Sequence, residues 1–197
     1  MKLQRRFAII GHKAPSSGEI SLNDLPGLSG RMDVLARAIN ATLFLSHGIR
    51  EDSQIIIHLM GGNGPPRRVM FDGSKLGGVR PDERSISGHF KSLIKLRLPP
   101  IGIWEKVSSG IYQSGGDIKT TLSEWERDNI KIYILDKRGK YLGIGNHNSM
   151  GFLLSDDITF DEYENNLISG YDKISLGGEW LQGQSCITII HHLIDSS

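Results

Sequence analysis

Two stretches of the chain carry residue types that could do chemistry. The first runs from Ser16 to Asp33, a polar loop punctuated by Gly18, Gly27 and Gly30 that delivers Arg31 and Asp33 to the start of a helix. Helix N-terminal amides favour an anion, and an arginine guanidinium can grip a phosphate through two parallel hydrogen bonds. Capping and loop closure explain the same residues equally well, and Asp33 could pair with Arg31 or cap the helix. The second runs from Ile174 to Asp195, where a strand opens through Gly177 and Gly178 into a tight loop and then a helix carrying Cys186. Backbone N–H and C=O groups in such a loop can read the edge of a flat ring, and glycine lets the ring come close. Ligands of α/β sheets favour the carboxyl ends of strands, so the strand ends at Leu135 and at Leu154 to Asp156 are expected to converge beside this loop.

The elements that must position these groups follow from the hydrophobic periodicity. Arg6 to His12 reads as a short buried strand, and Lys13 to Gly30 as a long loop of the kind that is usually functional or mobile. From Arg31, Val34, Leu35, Ala38, Ile39, Thr42 and Leu43 recur at helical spacing. Ser53 to Met60 is a β-branched strand. Val69 to Gly73 is a second, short strand expected to pair with residues near Gly77 to Arg80. Pro81 to Arg84 opens a helix that reaches toward Leu98 and stops at Pro99 and Pro100. Residues 101–116 read as irregular. Asp117 to Arg127 is a helix, Asn129 to Asp136 a strand, and Lys137 to Lys140 its turn. A strand at Phe152 to Leu154, a helix at Phe160 to Ile168, a strand at Lys173 to Leu176 and a helix at Leu181 to Ile194 complete the chain. Strands alternating with helices predict one α/β domain over residues 1–197 with a largely parallel sheet.

Composition excludes several classes. With 38% hydrophobic and 23% charged residues the chain is that of a folded globular protein. No apolar run is long enough for a membrane span, and the first residues lack the apolar core of a signal peptide. Cys186 is the single cysteine, so neither a disulfide framework nor a multi-cysteine metal site is expected, and these facts favour the cytoplasm. No metal site is expected from the histidines either. His191 and His192 are adjacent and point to different helix faces, while His12, His47, His58, His89 and His147 are scattered and read as structural. There is neither a Rossmann glycine fingerprint nor a phosphate-binding P-loop. The formal net charge of +1 hides an asymmetry. Residues 1–100 hold 15 Lys/Arg against 8 Asp/Glu, whereas residues 101–197 hold 8 against 14. Such asymmetry hints at a surface for a polyanion, and two solvated faces of a neutral protein would give the same count.

Both chemical stretches resemble the archaeal tRNA pseudouridine N1-methyltransferase family, TrmY, of the SPOUT superfamily. The matching residues are Ser16 to Gly18, Ser21, Leu22, Asp24 to Gly27 and Ser29 to Asp33. They continue through Leu45 to Gly48, Pro81 to Ser85, Gly116, Asp117, Leu135, Ser175 to Gly177 and Cys186. The resemblance spans nearly the whole chain in the same order. It implies an α/β SPOUT fold with helices flanking a mostly parallel sheet, a C-terminal trefoil knot, a homodimer and S-adenosylmethionine as cofactor. By similarity the cofactor would be held by Leu135, Ser155, Leu176, Gly177, Gly178, Glu179, Trp180, Leu181 and Cys186, with an acidic environment suited to ribose and a cationic sulfonium. Relatives tend to have glycine where Ser155 stands, which opens the alternative of an RNA-binding protein without catalysis. The implied reaction is methyl transfer to N1 of pseudouridine in RNA, at position 54 of the tRNA T-loop or at another tRNA or ribosomal RNA site. Arg31 would grip the nucleotide, and Arg67, Arg68 and the cluster from Lys91 to Arg97 would face RNA phosphates. The N1 proton would pass to Asp24, Asp33, Asp156 or Asp157, or leave without a dedicated base.

Overall fold

The computed structural model describes residues 4–141 and 149–196. Among these residues one eight-stranded sheet forms the centre of the molecule. Its strands in chain order are β1 (Gln4–Pro15), β4 (Ser53–Gly61), β5 (Arg67–Asp72), β6 (Glu105–Ser108), β7 (Ile111–Gly115), β8 (Lys131–Tyr141), β9 (Ser149–Ser155) and β10 (Asp172–Ser175). A small separate hairpin joins β2 (Phe44–Leu45) to β3 (Gly48–Ile49). The spatial order is β10-β8-β9-β1-β4-β5-β7-β6. The run from β10 to β4 is parallel, and the run from β4 through β5 and β7 to β6 is antiparallel.

The apolar run Phe7 to Ile10 has no polar partner face because both faces of β1 are covered, as parallel sheets require. Phe7 and Ile9 point to a layer made by α1 (Met32–Leu43), α2 (Glu83–Leu93) and α5 (Gly183–Asp195). Ala8 and Ile10 point to the opposite layer, where α3 (Ile118–Arg127) contributes Ile118, Leu122 and Trp125 and α4 (Glu162–Ile168) contributes Ile168. Gly151 on β9 lies under the Trp125 ring, where a Cβ would come within 2.5 Å of it.

The start of α1 depends on backbone geometry. Gly30 and Arg31 are both left-handed, with φ of 61° and 65°. A Cβ at Gly30 would lie 2.0 Å from the Lys13 carbonyl oxygen, so two backbones touch there and only glycine fits. No side chain caps α1. The helix buries Val34, Leu35, Ala38, Ile39, Thr42 and Leu43, the face that periodicity marks. The two ends of the chain are joined by charge: Arg5 donates to Asp195 at 2.5 Å and to Nδ1 of His191 at 3.0 Å, while Nε2 of His191 donates to the Thr42 carbonyl at 3.1 Å. His191 is buried and His192 is exposed, on different faces of α5.

Four sequence expectations need correction. The strand at Val69 to Gly73 pairs with β4 and β7, not with residues near Gly77 to Arg80. The span 101–116 contains β6 and β7, whose short polar sequences give no periodic signal. The helix begun at Pro81 ends at Leu93, before Leu98. Lys137 to Lys140 lies not in a turn after the strand but within β8, at an irregularity: β8 meets β10 at Tyr133 and Ile134 and again, after a register shift, at Lys140 and Tyr141. Between these contacts Gly139 presses on β10, and a Cβ on it would lie 2.6 Å from backbone atoms of Lys173 and Ile174. His147 lies outside the described residues.

Candidate functional site

The carboxyl ends of β9 and β10, together with the middle of β8, surround a cavity of about 930 Å³. Small-molecule sites span roughly 300–1,000 Å³, so a nucleoside-sized ligand fits. Leu135, Leu154, Leu176 and Val34 give its wall apolar patches, and Cys186 adds a thiol whose pKa is raised by burial. The loop from Leu176 to Gly183 forms one side. Leu176, Gly177, Glu179, Trp180 and Leu181 line the cavity, whereas Gly178 stands in the same loop but off the wall. Gly177 has a φ of 148°. Nothing lies within 4 Å of a Cβ built on Gly177 or Gly178, which leaves space against the loop backbone. Apolar wall, open backbone and the Glu179 carboxylate are the donor set that an adenosine with a cationic sulfonium needs, so the residues present fit S-adenosylmethionine.

The opposite side is the turn that leaves β9. Ser155 lines the cavity, but its hydroxyl donates to the Ile158 carbonyl. The extra side chain is thus used inside the turn. Asp156 anchors that turn from below. Its backbone N–H donates to Ile10 at 3.1 Å, and its carboxylate accepts from Ile158 N at 2.9 Å and from the N–H of His12 at 2.9 Å. The His12 ring is held between Asp156 at 2.8 Å and Glu164 at 3.0 Å. Burial alone would lower its pKa, but hydrogen bonds and charge from the two carboxylates push it up to about 10, so the ring is an imidazolium. Glu164 also closes the N-terminus of α4. It accepts from Asp161 N at 2.9 Å while Asp161 accepts from Glu164 N at 2.8 Å, a reciprocal capping box. One histidine therefore ties β1, the β9 turn and α4 together.

Arg31 stands on the cavity wall. It donates through Nε and Nη2 to both oxygens of Asp33, at 3.0 and 3.2 Å, and through Nη1 to Asp157 at 3.1 Å. Asp33 is buried, accepts also from Arg37 at 2.7 Å, and does not line the cavity. Its burial works to raise its pKa, yet Arg31 and Arg37 hold it below the ordinary carboxylate range. Asp24 is off the wall as well. It accepts from Gly27 N at 2.8 Å and Leu28 N at 3.1 Å, which fixes the turn of the first loop.

Several wall residues escape a reading of the sequence. Arg37 belongs to the polar face of α1, and Asp136 to Arg138 lie where a strand gives way to polar residues that look like a turn. Asp136 is buried beside Arg138 and Lys173. Burial works against its ionisation, but these cations keep its pKa low. The expectation of an acidic pocket is therefore only half of the picture: Asp136, Asp156, Asp157 and Glu179 share the wall with Arg31, Arg37, Lys137 and Arg138. Arg67 and Arg68 do not face outward. Arg67 donates to the carbonyls of Leu93 and Leu96 and to Gln113. Arg68 is fully buried against Glu124, Thr121, Ser114 and the Gly115 carbonyl, under the Trp104 ring.

Known proteins align with this architecture. Residues 4–197 match a family model described as "Putative SAM-dependent RNA methyltransferase". The chain is 35% identical to the tRNA (pseudouridine(54)-N(1))-methyltransferase of Methanococcus maripaludis strain C6, over 97% of this chain and 98% of that one. It is 38% identical to the protein of the same description from Methanococcoides burtonii, over 97% and 96%. Among solved structures, Archaeoglobus fulgidus Nep1 bound to S-adenosylhomocysteine shares the fold with a TM-score of 0.67 at 10% identity, covering 100% of this chain and 98% of that chain.

Proposed function

The chain belongs to the family of S-adenosylmethionine-dependent RNA methyltransferases, and on that premise we propose that it methylates N1 of pseudouridine at position 54 of tRNA, as its relatives' names state of them, the T-loop position that the resemblance implies. The observation that carries this reading is the cavity of about 930 Å³ with Arg31 and Arg37 on its wall. It places cofactor-type backbone and apolar groups beside cations suited to a nucleic acid.

When bound, S-adenosylmethionine supplies the methyl group as an electrophile on sulfur. The protein's own residues have two tasks. The wall formed by Leu176, Gly177, Glu179, Trp180 and Leu181, with Leu135, Ser155 and Cys186, holds the cofactor. Arg31 grips a phosphate of the target nucleotide. Fixing N1 in line with the methyl carbon and sulfur can contribute up to roughly 7–11 kcal/mol of barrier lowering. Presenting a T-loop base to this cavity requires splaying it out, at a few kcal/mol.

Residues 1–197 act as one domain in this reading, in the cytoplasm with their tRNA. Among the described residues no helix is long and apolar enough to cross a membrane. The trefoil knot that the resemblance implies would form where Lys137 to Tyr141 runs against β10, a reading supported by the close backbone approach at Gly139 and by the packing of α5 on α1. A homodimer is supported by Trp180 and Leu181, which line the cavity and are still 60% and 39% exposed, an apolar rim that a second chain would cover. Sedimentation at micromolar concentration is expected to give twice the chain mass, and a monomer there would remove the dimer.

The deciding experiment uses a methyl-labelled cofactor. Label is expected in a T-arm carrying pseudouridine at position 54 and not in the same arm with uridine. Equal labelling of both would end the N1 reading. Arg31→Ala should raise the KM for the T-arm by roughly 10–100-fold, since a hydrogen bond to a charged group contributes about 1.5–3 kcal/mol. An unchanged KM would remove Arg31 from phosphate binding.

A further inference from the structure

Methylation at N1 must also remove the N1 proton, and the structure separates the carboxylates that could take it. Asp24 is off the cavity wall, spent on Gly27 and Leu28. Asp33 is buried under two guanidiniums. Asp156 has a side chain 1% exposed, fixed by His12 and Ile158. Asp136 is 8% exposed between Arg138 and Lys173. Glu179 belongs to the loop that fits the cofactor. Asp157 differs from all of these. It lines the cavity, its side chain is 36% exposed, and among the described residues its ion pair is to Nη1 of Arg31.

We propose that Asp157 is the proton acceptor for N1 of the target base, and that Arg31 holds it idle until RNA binds. This rests on the N1-methyltransferase reading above. The two carboxylates on Arg31 are not equivalent. Asp33 takes two donors, Nε and Nη2, and is shared with Arg37. Asp157 takes a single donor from a partner that is itself 33% exposed, and half-exposed pairs of this kind are weak. A phosphate that engages the exposed Nη1 edge competes with Asp157 and leaves the Asp33 pair in place. Asp157 is then released from Arg31 and next to the base.

In the transfer the N1–H bond breaks and its proton goes to a carboxylate oxygen of Asp157. The N1 electron pair forms the bond to the methyl carbon. The carbon–sulfur bond breaks and its pair stays on sulfur, which loses its positive charge. The neighbouring Asp156 keeps the turn fixed, so two adjacent carboxylates carry different duties: one is buried as an anchor and the other is presented for chemistry.

Asp157→Asn tests both halves with opposite signs. Turnover of a pseudouridine T-arm at neutral pH is expected to fall about 100-fold or more, the usual range for a lost general base. That deficit shrinks toward alkaline pH, where N1–H ionises without help. Binding of the same T-arm to the protein without cofactor is expected to tighten several-fold, because Arg31 is no longer held. Asp157→Glu, which keeps the carboxylate, is expected to recover part of the turnover, and Asp157→Ser serves as the second neutral variant if the asparagine variant does not fold. Wild-type-like turnover in either neutral variant overturns the assignment. A loss of equal size at every pH, or RNA binding that does not tighten, also overturns it. If the wild-type protein labels no pseudouridine at all, the broader reading fails instead.

Discussion

His12 shows how much a single side chain can fix. Its two carboxylate partners lie 144 and 152 residues away in sequence, so no local spacing could have marked it among scattered histidines. Its pKa is raised to about 10 in the folded protein from an ordinary value of 6.5. The sign follows by linkage: the stabilisation is fully present below about pH 6.5 and is lost as pH rises through about 10. The thermal midpoint of the wild-type protein is therefore expected to fall over that interval, and His12→Gln is expected to lower it at neutral pH and flatten the decline. Parallel pH profiles for the two proteins would show that the imidazolium contributes nothing. The sequence marks Arg31 at this scale because a loop ending in glycine and arginine before a helix is an anion-site pattern, and Arg31 does stand on the cavity wall. The division of labour among Asp33, Asp156 and Asp157 is not, because burial and partners separate them and residue type does not.

At the scale of elements, periodicity locates α1, α2, α3, α5 and the strands β1, β4 and β9, whose buried faces follow simple repeats. It fails where hydrogen-bond partners and not apolar side chains define the element. Lys137 to Lys140 is polar, contains glycine and looks like a turn, yet it falls within β8, where the ladder with β10 breaks after Ile134 and resumes at Lys140. Gly139 is the residue that permits this approach, for its backbone meets that of Lys173 and Ile174. Gly139→Ala is expected to cost about 1–3 kcal/mol, the range for forcing one extra methyl into a packed region. Urea unfolding measures it directly, and a variant as stable as the wild type would mean that the two backbones can separate there at no cost. The carboxyl-end rule for α/β sheets does point to the cavity at β9 and β10, where Ser155 and Leu176 stand on its wall, whereas Leu135 lines it from the middle of β8.

At the scale of the whole molecule, the uneven charge of the chain survives in altered form. Arg67 and Arg68 are interior cations, so a charge count by residue number overstates the basic surface. Lys91, Lys95 and Arg97 remain at least partly exposed on and after α2. Lys91→Ala or Arg97→Ala is expected to lower the slope of log affinity for tRNA against log salt by about one unit for each phosphate that the side chain neutralises. Arg68→Ala should leave that slope unchanged and instead destabilise the fold by roughly 3–5 kcal/mol, because Glu124 is left without its buried partner. A salt slope that moves with Arg68 and not with Lys91 or Arg97 would reverse this map. The position of β1 has a consequence for biosynthesis. Strand β1 lies between β4 and β9, so its Gln4 to Ile10 edge stays bare from its own synthesis until residues 149–155 have been translated. Throughout that interval a nascent chain exposes an apolar strand edge of the kind that attracts chaperones and other nascent chains. Stalled or truncated products ending before β9 are therefore expected to aggregate, and the completed protein to fold late and as a unit.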